Sequence, residues 1–268
     1  MTRTIFALGG GTFGEPLATY KKWALPTTPG QKYYEANTTP VDKLILNATG
    51  KMRPKLLVIL TASEDGEHDL DLLEAAFRAH FEKLDAKVDT LYLRTRSTPA
   101  AEIKQKIQKT DAIYVSGGNT FGLMRVWQRL GVDKLLREAY DHGVVMSGMS
   151  AGSICWFRYG NSNSFYTEKP FRVSGMGWMN LLICPHYDTE PYRQPALKKM
   201  MKRTPHTVGI ALDEHAAIEV VDDTTYRIHL FKQGAQARKC YWKSGKYFVE
   251  EIKSQADYLP LKDLTTGV

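Results

Sequence analysis

Short apolar runs alternate with stretches of helical periodicity through the first half of the chain. Ile5-Phe6-Ala7-Leu8 is continuously apolar, closes at Gly9-Gly10-Gly11, and reads as a buried strand. Lys55 to Leu60 predicts a second strand ending at Thr61-Ala62-Ser63. Leu70, Leu73, Ala76, Phe77 and Phe81 then recur at helical spacing, and Val88 to Leu93 predicts a third strand. Ala100 to Thr110 predicts a short helix and Ala112 to Val115 a fourth strand, which ends at Ser116-Gly117-Gly118-Asn119. Leu123, Val126, Trp127 and Leu130 share one helical face, as do Leu135, Leu136 and Ala139. A further apolar stretch, Val144-Val145-Met146, leads into a turn at Ser150. Residues 14–42, broken by Pro16, Pro26, Pro29, Gly30 and Pro40, yield only a helix start at Thr38–Asp42 with proline in its first turn.

Strands alternating with amphipathic helices predict an α/β fold: three α/β/α layers around a largely parallel, doubly wound sheet. Ligands of such sheets bind outside the carboxyl ends of the strands, where Gly10, Gly118 and Ser150 all fall. After Ser150 the pattern changes. Leu181-Leu182-Ile183-Cys184, Thr207 to Leu212, Ala216 to Val220, Thr225 to Leu230 and Tyr247-Phe248-Val249 read as strands of a later, partly antiparallel portion on the same sheet core. With no linker and no internal repeat, residues 1–268 are expected to form a single domain.

Composition narrows the function classes. A chain of 268 residues that is 43% hydrophobic and 24% charged suits a globular protein with a substantial core. The net charge of +7 is dispersed. Its densest cluster, Lys198, Lys199, Lys202 and Arg203, lacks interleaved aromatics and reads as a solvated helix face, so no nucleic-acid partner is expected. No apolar run approaches the 18 or more residues of a membrane span, and Ile5–Leu8 is too short for a signal-peptide core. A cytoplasmic protein without a membrane partner is expected. Cys155, Cys184 and Cys240 are odd in number and form no CxxC unit, which argues against a disulfide framework or structural zinc. Gly9-Gly10-Gly11 matches neither the dinucleotide nor the P-loop spacing, so no cofactor is expected, and His186 and Asp188 lack a third ligand of convincing spacing, so no metal is expected.

The candidate chemistry centres on Gly148-Met149-Ser150-Ala151-Gly152. A serine flanked by glycines two residues before and after it, between a buried strand and a helix, is the pattern of a nucleophile on a sharp elbow. Such a serine needs a base, and the base needs an acid to hold its tautomer. Of the seven histidines, His186 stands out at a strand end in Cys184-Pro185-His186-Tyr187-Asp188. His80, His142 and His229 read as structural or surface residues, while His206 and His215 stay open. The acid could be Asp188, Asp213 or Glu214, and spacing does not choose among them. Gly117-Gly118-Asn119-Thr120 could hold a substrate, or could be a turn whose helix Asn119 or Thr120 caps.

Together, Val115-Ser116-Gly117-Gly118-Asn119-Thr120-Phe121, the Ser150 elbow, Cys184-Pro185-His186-Tyr187-Asp188 and Gly209-Ile210-Ala211-Leu212-Asp213-Glu214 resemble the peptidase E and cyanophycinase family of serine peptidases. The resemblance runs from Ile5 to about Leu230. It implies a fold related to the class I glutamine amidotransferases, with a Ser150–His186–Glu214 triad and an oxyanion hole of the Gly118 and Ala151 N–H groups. Serine at the elbow, where those amidotransferases carry cysteine, argues against glutamine hydrolysis. The implied substrate is a small aspartyl peptide, with an aspartyl-arginine polymer as the alternative. Asn119, Thr120, Asp188 and Arg193 form the expected substrate-binding set, and Arg158 and Arg172 are further candidates for the acidic group. Two rival classes stay open: a non-catalytic small-molecule-binding or scaffold protein, and an esterase with an apolar acyl pocket. Strand edges in the later region leave room for a homodimer.

Overall fold

The computed structural model describes residues 1–20, 28–165, 169–204 and 206–265. Its first half contains strands β1 (Thr4–Leu8), β2 (Lys55–Ile59), β3 (Lys87–Leu91), β4 (Ala112–Val115) and β5 (Val145–Met149). Helices α1 (Thr39–Asn47), α2 (Leu70–Glu82), α3 (Ala100–Gln108), α4 (Thr120–Leu130), α5 (Val132–Asp141) and α6 (Ala151–Ile154) lie among them. The second half adds β6 (Phe157–Ser162), β7 (Phe171–Ser174), β8 (Met179–Cys184), α7 (Arg193–Lys202) and β9 (Gly209–Leu212). It ends with β10 (Ala216–Val221), β11 (Thr225–Leu230), β12 (Ala237–Lys243), β13 (Lys246–Ile252) and β14 (Leu259–Pro260).

The first five strands are mutually parallel in the order β1-β5-β4-β2-β3. β1, β4 and β5 are buried throughout and β2 is buried beyond Lys55, which is why β1, β2 and β4 run almost continuously apolar, whereas β3, at the sheet edge, exposes Lys87 and Asp89. Ile5, Ala7, Leu57, Ile59, Ile113 and Val115 pack towards α3, α4 and α5. Phe6, Leu8, Leu56, Val58, Leu60 and Tyr114 pack towards α1 and α2 on the other side. These are the expected α/β layers around a parallel core. The helix start at Thr38–Asp42 is α1, with Pro40 in its first turn. Of segment 14–42, residues 21–27 lie outside the described residues.

The later strands depart from the expected single sheet. β10, β11 and β14 extend the first sheet antiparallel beyond β1, giving eight strands. The rest build a second, six-stranded sheet in the order β13-β12-β9-β8-β6-β7. Leu181 and Ile183 of β8 face the core shared with α4 and α5, while Leu182 and Cys184 face α7. Burial on both faces gives the same apolar run in either sheet, so periodicity cannot say which sheet a strand joins. The lysine-bearing segment forms α7 with Leu197, Met200 and Met201 buried and Lys198, Lys199 and Lys202 in solvent. Among the described residues, no helix is long and apolar enough to cross a membrane.

Candidate active site

β2 and β4 are adjacent, yet the chain leaves β2 for β3 on its outer side and returns to β4 on its inner side. The order of the strands thus reverses between β2 and β4, and the carboxyl ends at such a reversal are where doubly wound sheets bind ligands. Ser150 lies one strand further in, directly after β5. Its φ of 56° and ψ of −109° put a non-glycine residue in a strained conformation. Strand and helix leave no room beside it. A Cβ at Gly148 would sit 2.5 Å from the Gly152 carbonyl oxygen, and one at Gly152 would collide with the Val115 carbonyl. The expected elbow is present, although the helix it opens, α6, is a single turn of 4 residues that gives way to β6.

The turn after β4 lies against this elbow. A Cβ on Gly117 would be 3.4 Å from the Ser150 Cβ. Gly118 has φ of +126° and lies so close to the Ala62 carbonyl that a side chain there would overlap it. Among the described residues, the N–H groups of Gly118 and Ala151 make no backbone hydrogen bond.

The tail of β1 runs through the middle of the candidate constellation. The Leu8 carbonyl accepts the Ser150 N–H at 3.3 Å, and the Gly9 carbonyl accepts the His186 N–H at 3.1 Å. The Gly11 N–H donates to Glu214 Oε1 at 3.0 Å. Consecutive stretches of one strand end thus hold the three candidates. Glycine is required for this passage, since a Cβ on Gly9 would overlap the Asp213 carbonyl and one on Gly10 would land on the Glu214 carboxylate. This run matches no nucleotide-binding motif. Its real signal is three consecutive glycines at the end of a buried strand.

Of the three candidate acids, Glu214 is the one hydrogen-bonded to His186. Its Oε2 is 2.6 Å from His186 Nδ1 and accepts the Thr189 hydroxyl at 3.2 Å. Burial pushes the Glu214 carboxyl towards protonation, but the neighbouring His186 charge and the hydrogen bonds from His186 and Gly11 outweigh it and hold its pKa below the ordinary value. Burial likewise pulls His186 down, and the charge and hydrogen bond of Glu214, with the charge of Glu190, more than reverse it, leaving its pKa raised. Asp213 instead binds Arg238 and the Gln236 N–H. Among the described residues, the Ser150 hydroxyl makes no hydrogen bond.

The other histidines have different employment. His80 is a structural residue, buried against Asp42 at 2.7 Å on the α2 face that meets α1. His229 pairs with Glu219 and His68 with Asp65. His142 bonds the Glu138 carbonyl. A histidine–carboxylate pair is therefore common in this molecule, and among the described residues only the His186–Glu214 pair adjoins the elbow through the β1 tail.

The expected substrate-binding residues fare less well as ligand-facing groups. Asn119 caps α4, its side chain accepting the Gly122 N–H at 2.7 Å, which is the turn-capping alternative. Thr120 is buried and accepts the Ser162 hydroxyl. Asp188 accepts the Glu214 N–H at 2.8 Å and so positions the acid. Arg193 is buried, paired with Glu190 at 2.6 Å and bonded to the Asn161 carbonyl, so its guanidinium is committed to the protein. Arg158 bonds Asn180, and Arg172 bonds Thr204. Among the described residues, no three His, Cys, Asp or Glu side chains converge to share a metal ion.

Comparison with known proteins places this geometry in context. The sequence pattern of peptidase family S51 matches residues 28–228. The Bacillus subtilis (strain 168) protein named uncharacterized peptidase YgaJ is 29% identical over 257 residues, covering 96% of this chain and 99% of that one. A Shewanella amazonensis protein named peptidase E is 32% identical over 88 residues, 32% of this chain and 37% of that one. The crystal structure of a peptidase from an acI-B1 Actinobacterium shares the fold, with a TM-score of 0.70 and 16% identity over 97% of this chain and 98% of that one.

Proposed function

The chain belongs to peptidase family S51, and on that premise we propose that it is a serine exopeptidase hydrolysing the amide bond of a small aspartyl peptide. The observation that carries this reading is the His186–Glu214 hydrogen bond, tied through the β1 tail to the elbow that holds Ser150. With Nδ1 engaged by Glu214, the imidazole keeps Nε2 for proton transfer.

The mechanism follows. His186 Nε2 takes the Ser150 hydroxyl proton as Oγ attacks the amide carbonyl. Negative charge gathers on the carbonyl oxygen, where the N–H groups of Gly118 and Ala151 receive it. The C–N bond breaks as His186 returns its proton to the leaving amine, and Ser150 is left acylated. Water then attacks the ester, giving a proton to His186. The second tetrahedral species collapses, releasing the carboxylic acid, which ionises in water, as His186 returns its proton to Oγ. Glu214 stays ionised throughout and stabilises the imidazolium.

The test is hydrolysis of Asp-X, Glu-X, Asn-X and Ala-X dipeptides, an arginine-bearing aspartyl polymer and a simple ester, by the parent protein and Ser150→Ala. Asp-X turnover lost on substitution supports the reading. Turnover of the polymer alone transfers the assignment to that substrate, and ester turnover alone to an esterase. A folded protein without turnover of any of them sinks the substrate assignment.

A further inference from the structure

The three arginines expected to meet an acidic substrate are all engaged by the protein, yet another lies at the carboxyl end of the same sheet. Arg94 follows β3 at the carboxyl edge of the sheet and is exposed. Among the described residues its guanidinium has no hydrogen bond and no ion pair. Its backbone, in contrast, is held firmly. The buried Glu64 carboxylate accepts the N–H groups of Leu93, Arg94 and Thr95 at 2.8 to 2.9 Å, and the Thr95 hydroxyl at 2.8 Å. A carboxylate with several backbone donors fixes a loop that would otherwise be mobile.

The side chain is directed inward along the sheet. Arg94 Nη1 lies 3.3 Å from the position a Cβ would take on Gly122, in the first turn of α4, and Asn119 Oδ1 lies 3.2 Å from the same position. Glycine is disfavoured within a helix relative to alanine. Here it leaves the helix surface open where the guanidinium and the capping amide lie. Ser150 follows β5 and Arg94 follows β3, three strand neighbours away, or about 14 Å across the strand ends. The arginine side chain spans part of that gap, and an extended dipeptide covers about 7 Å of it.

We propose that Arg94 is the specificity residue that receives a carboxylate of the substrate, with Glu64 and Gly122 setting its position. The proposal rests on the aspartyl-peptide reading for its ligand. A planar fork of N–H donors matches a carboxylate in charge and geometry. Two carboxylates of such a peptide could fill the role, the aspartyl side chain or the free C-terminus.

The experiment is a calorimetric binding titration on Ser150→Ala, with and without Arg94→Met and Arg94→Lys. Three probes separate the sources: Asp-Leu, Asn-Leu without the side-chain charge, and Asp-Leu amide without the terminal charge. Arg94→Met is expected to weaken Asp-Leu by about 10- to 100-fold, the range of one charge-assisted pair. It should leave unchanged the probe that lacks the matching carboxylate, and Arg94→Lys should fall between. Equal weakening of all three probes, no weakening of any, or no carboxylate-dependent binding to Ser150→Ala would overturn the proposal. Arg94-dependent binding of Asp-Leu by a protein that does not cleave it would overturn the hydrolase reading and leave the arginine assignment standing.

Discussion

His186 Nδ1 and Glu214 Oε2 lie 2.6 Å apart, with each group shifted towards its charged form. As the histidine is to serve as a base, it must lose its proton before the enzyme is competent. The parent kcat/KM should therefore rise with pH along a limb centred above the ordinary histidine value of 6.5. Glu214→Gln removes the charge that raises it. The limb should move to lower pH while the rate falls by roughly 10³–10⁴-fold, as when a triad loses its acid. A pH–rate profile of both proteins checks this, and an unmoved limb would separate Glu214 from the base. For stability the signs run in opposite directions. The raised His186 contributes fully below its ordinary pKa and loses that contribution as pH rises through its folded value. The lowered Glu214 contributes above its ordinary 4.5 and loses that contribution as pH falls through its folded value, so the pair stabilises most between these limits.

Ser150 holds a backbone conformation that suits glycine better than serine, with φ of 56°. Ser150→Gly and Ser150→Ala should both abolish turnover. The glycine variant should be the more stable of the two by about 1 kcal/mol, because only alanine keeps the strain. Thermal melts of the two inactive proteins measure this. Equal midpoints would mean the elbow stores no strain.

Gly10 carries no functional group, but Gly10→Ala places a methyl on the Glu214 carboxylate. The expected result is a loss of at least 10²-fold in kcat, the scale set by a misplacement of about 1 Å at a reacting centre. Circular dichroism should show a folded protein. Wild-type kcat in this variant would mean that the β1 tail does not set the geometry of the acid.

Away from the site, buried Glu219 gathers His229 at 2.7 Å, Arg227 at 3.0 Å and the Tyr258 hydroxyl at 2.6 Å. Burial works to raise its pKa, but the hydrogen bonds from His229, Tyr258 and Arg227 prevail and lower it. Glu219→Gln should destabilise the protein by about 2 kcal/mol at neutral pH. The deficit should shrink as pH falls through the folded pKa of Glu219, where the parent loses the same charge. Urea titrations at neutral and acid pH measure both, and a deficit independent of pH would place the effect in packing alone.

The parallel half of the fold is legible because its inner strands are buried on both faces, edge strand β3 alternates, and its helices are buried on one side, so strand runs and helical stripes differ plainly in period. The second sheet is not legible in the same way. Leu181–Cys184 would read identically in either sheet, because pairing partners are chosen by tertiary packing. Ser150 announces itself through Gly148 and Gly152, whose side-chain space is filled by backbone. His186 and Glu214 have no such local mark, and with three other histidine–carboxylate pairs among the described residues, chemistry alone could not select them. Arg94 was missed for a further reason: the acid that positions it, Glu64, is thirty residues earlier and acts on its backbone, leaving no motif to see.

The passage of β1 between Ser150, His186 and Glu214 has a bearing on how such a protein can change over evolutionary time. Two of the three ties are main-chain to main-chain, and the third needs only an amide from Gly11. Residues around the centre can therefore drift, and loops can lengthen to admit other substrates, without dismantling the alignment. What the lineage must keep is a narrow strip of glycine and the register of one strand.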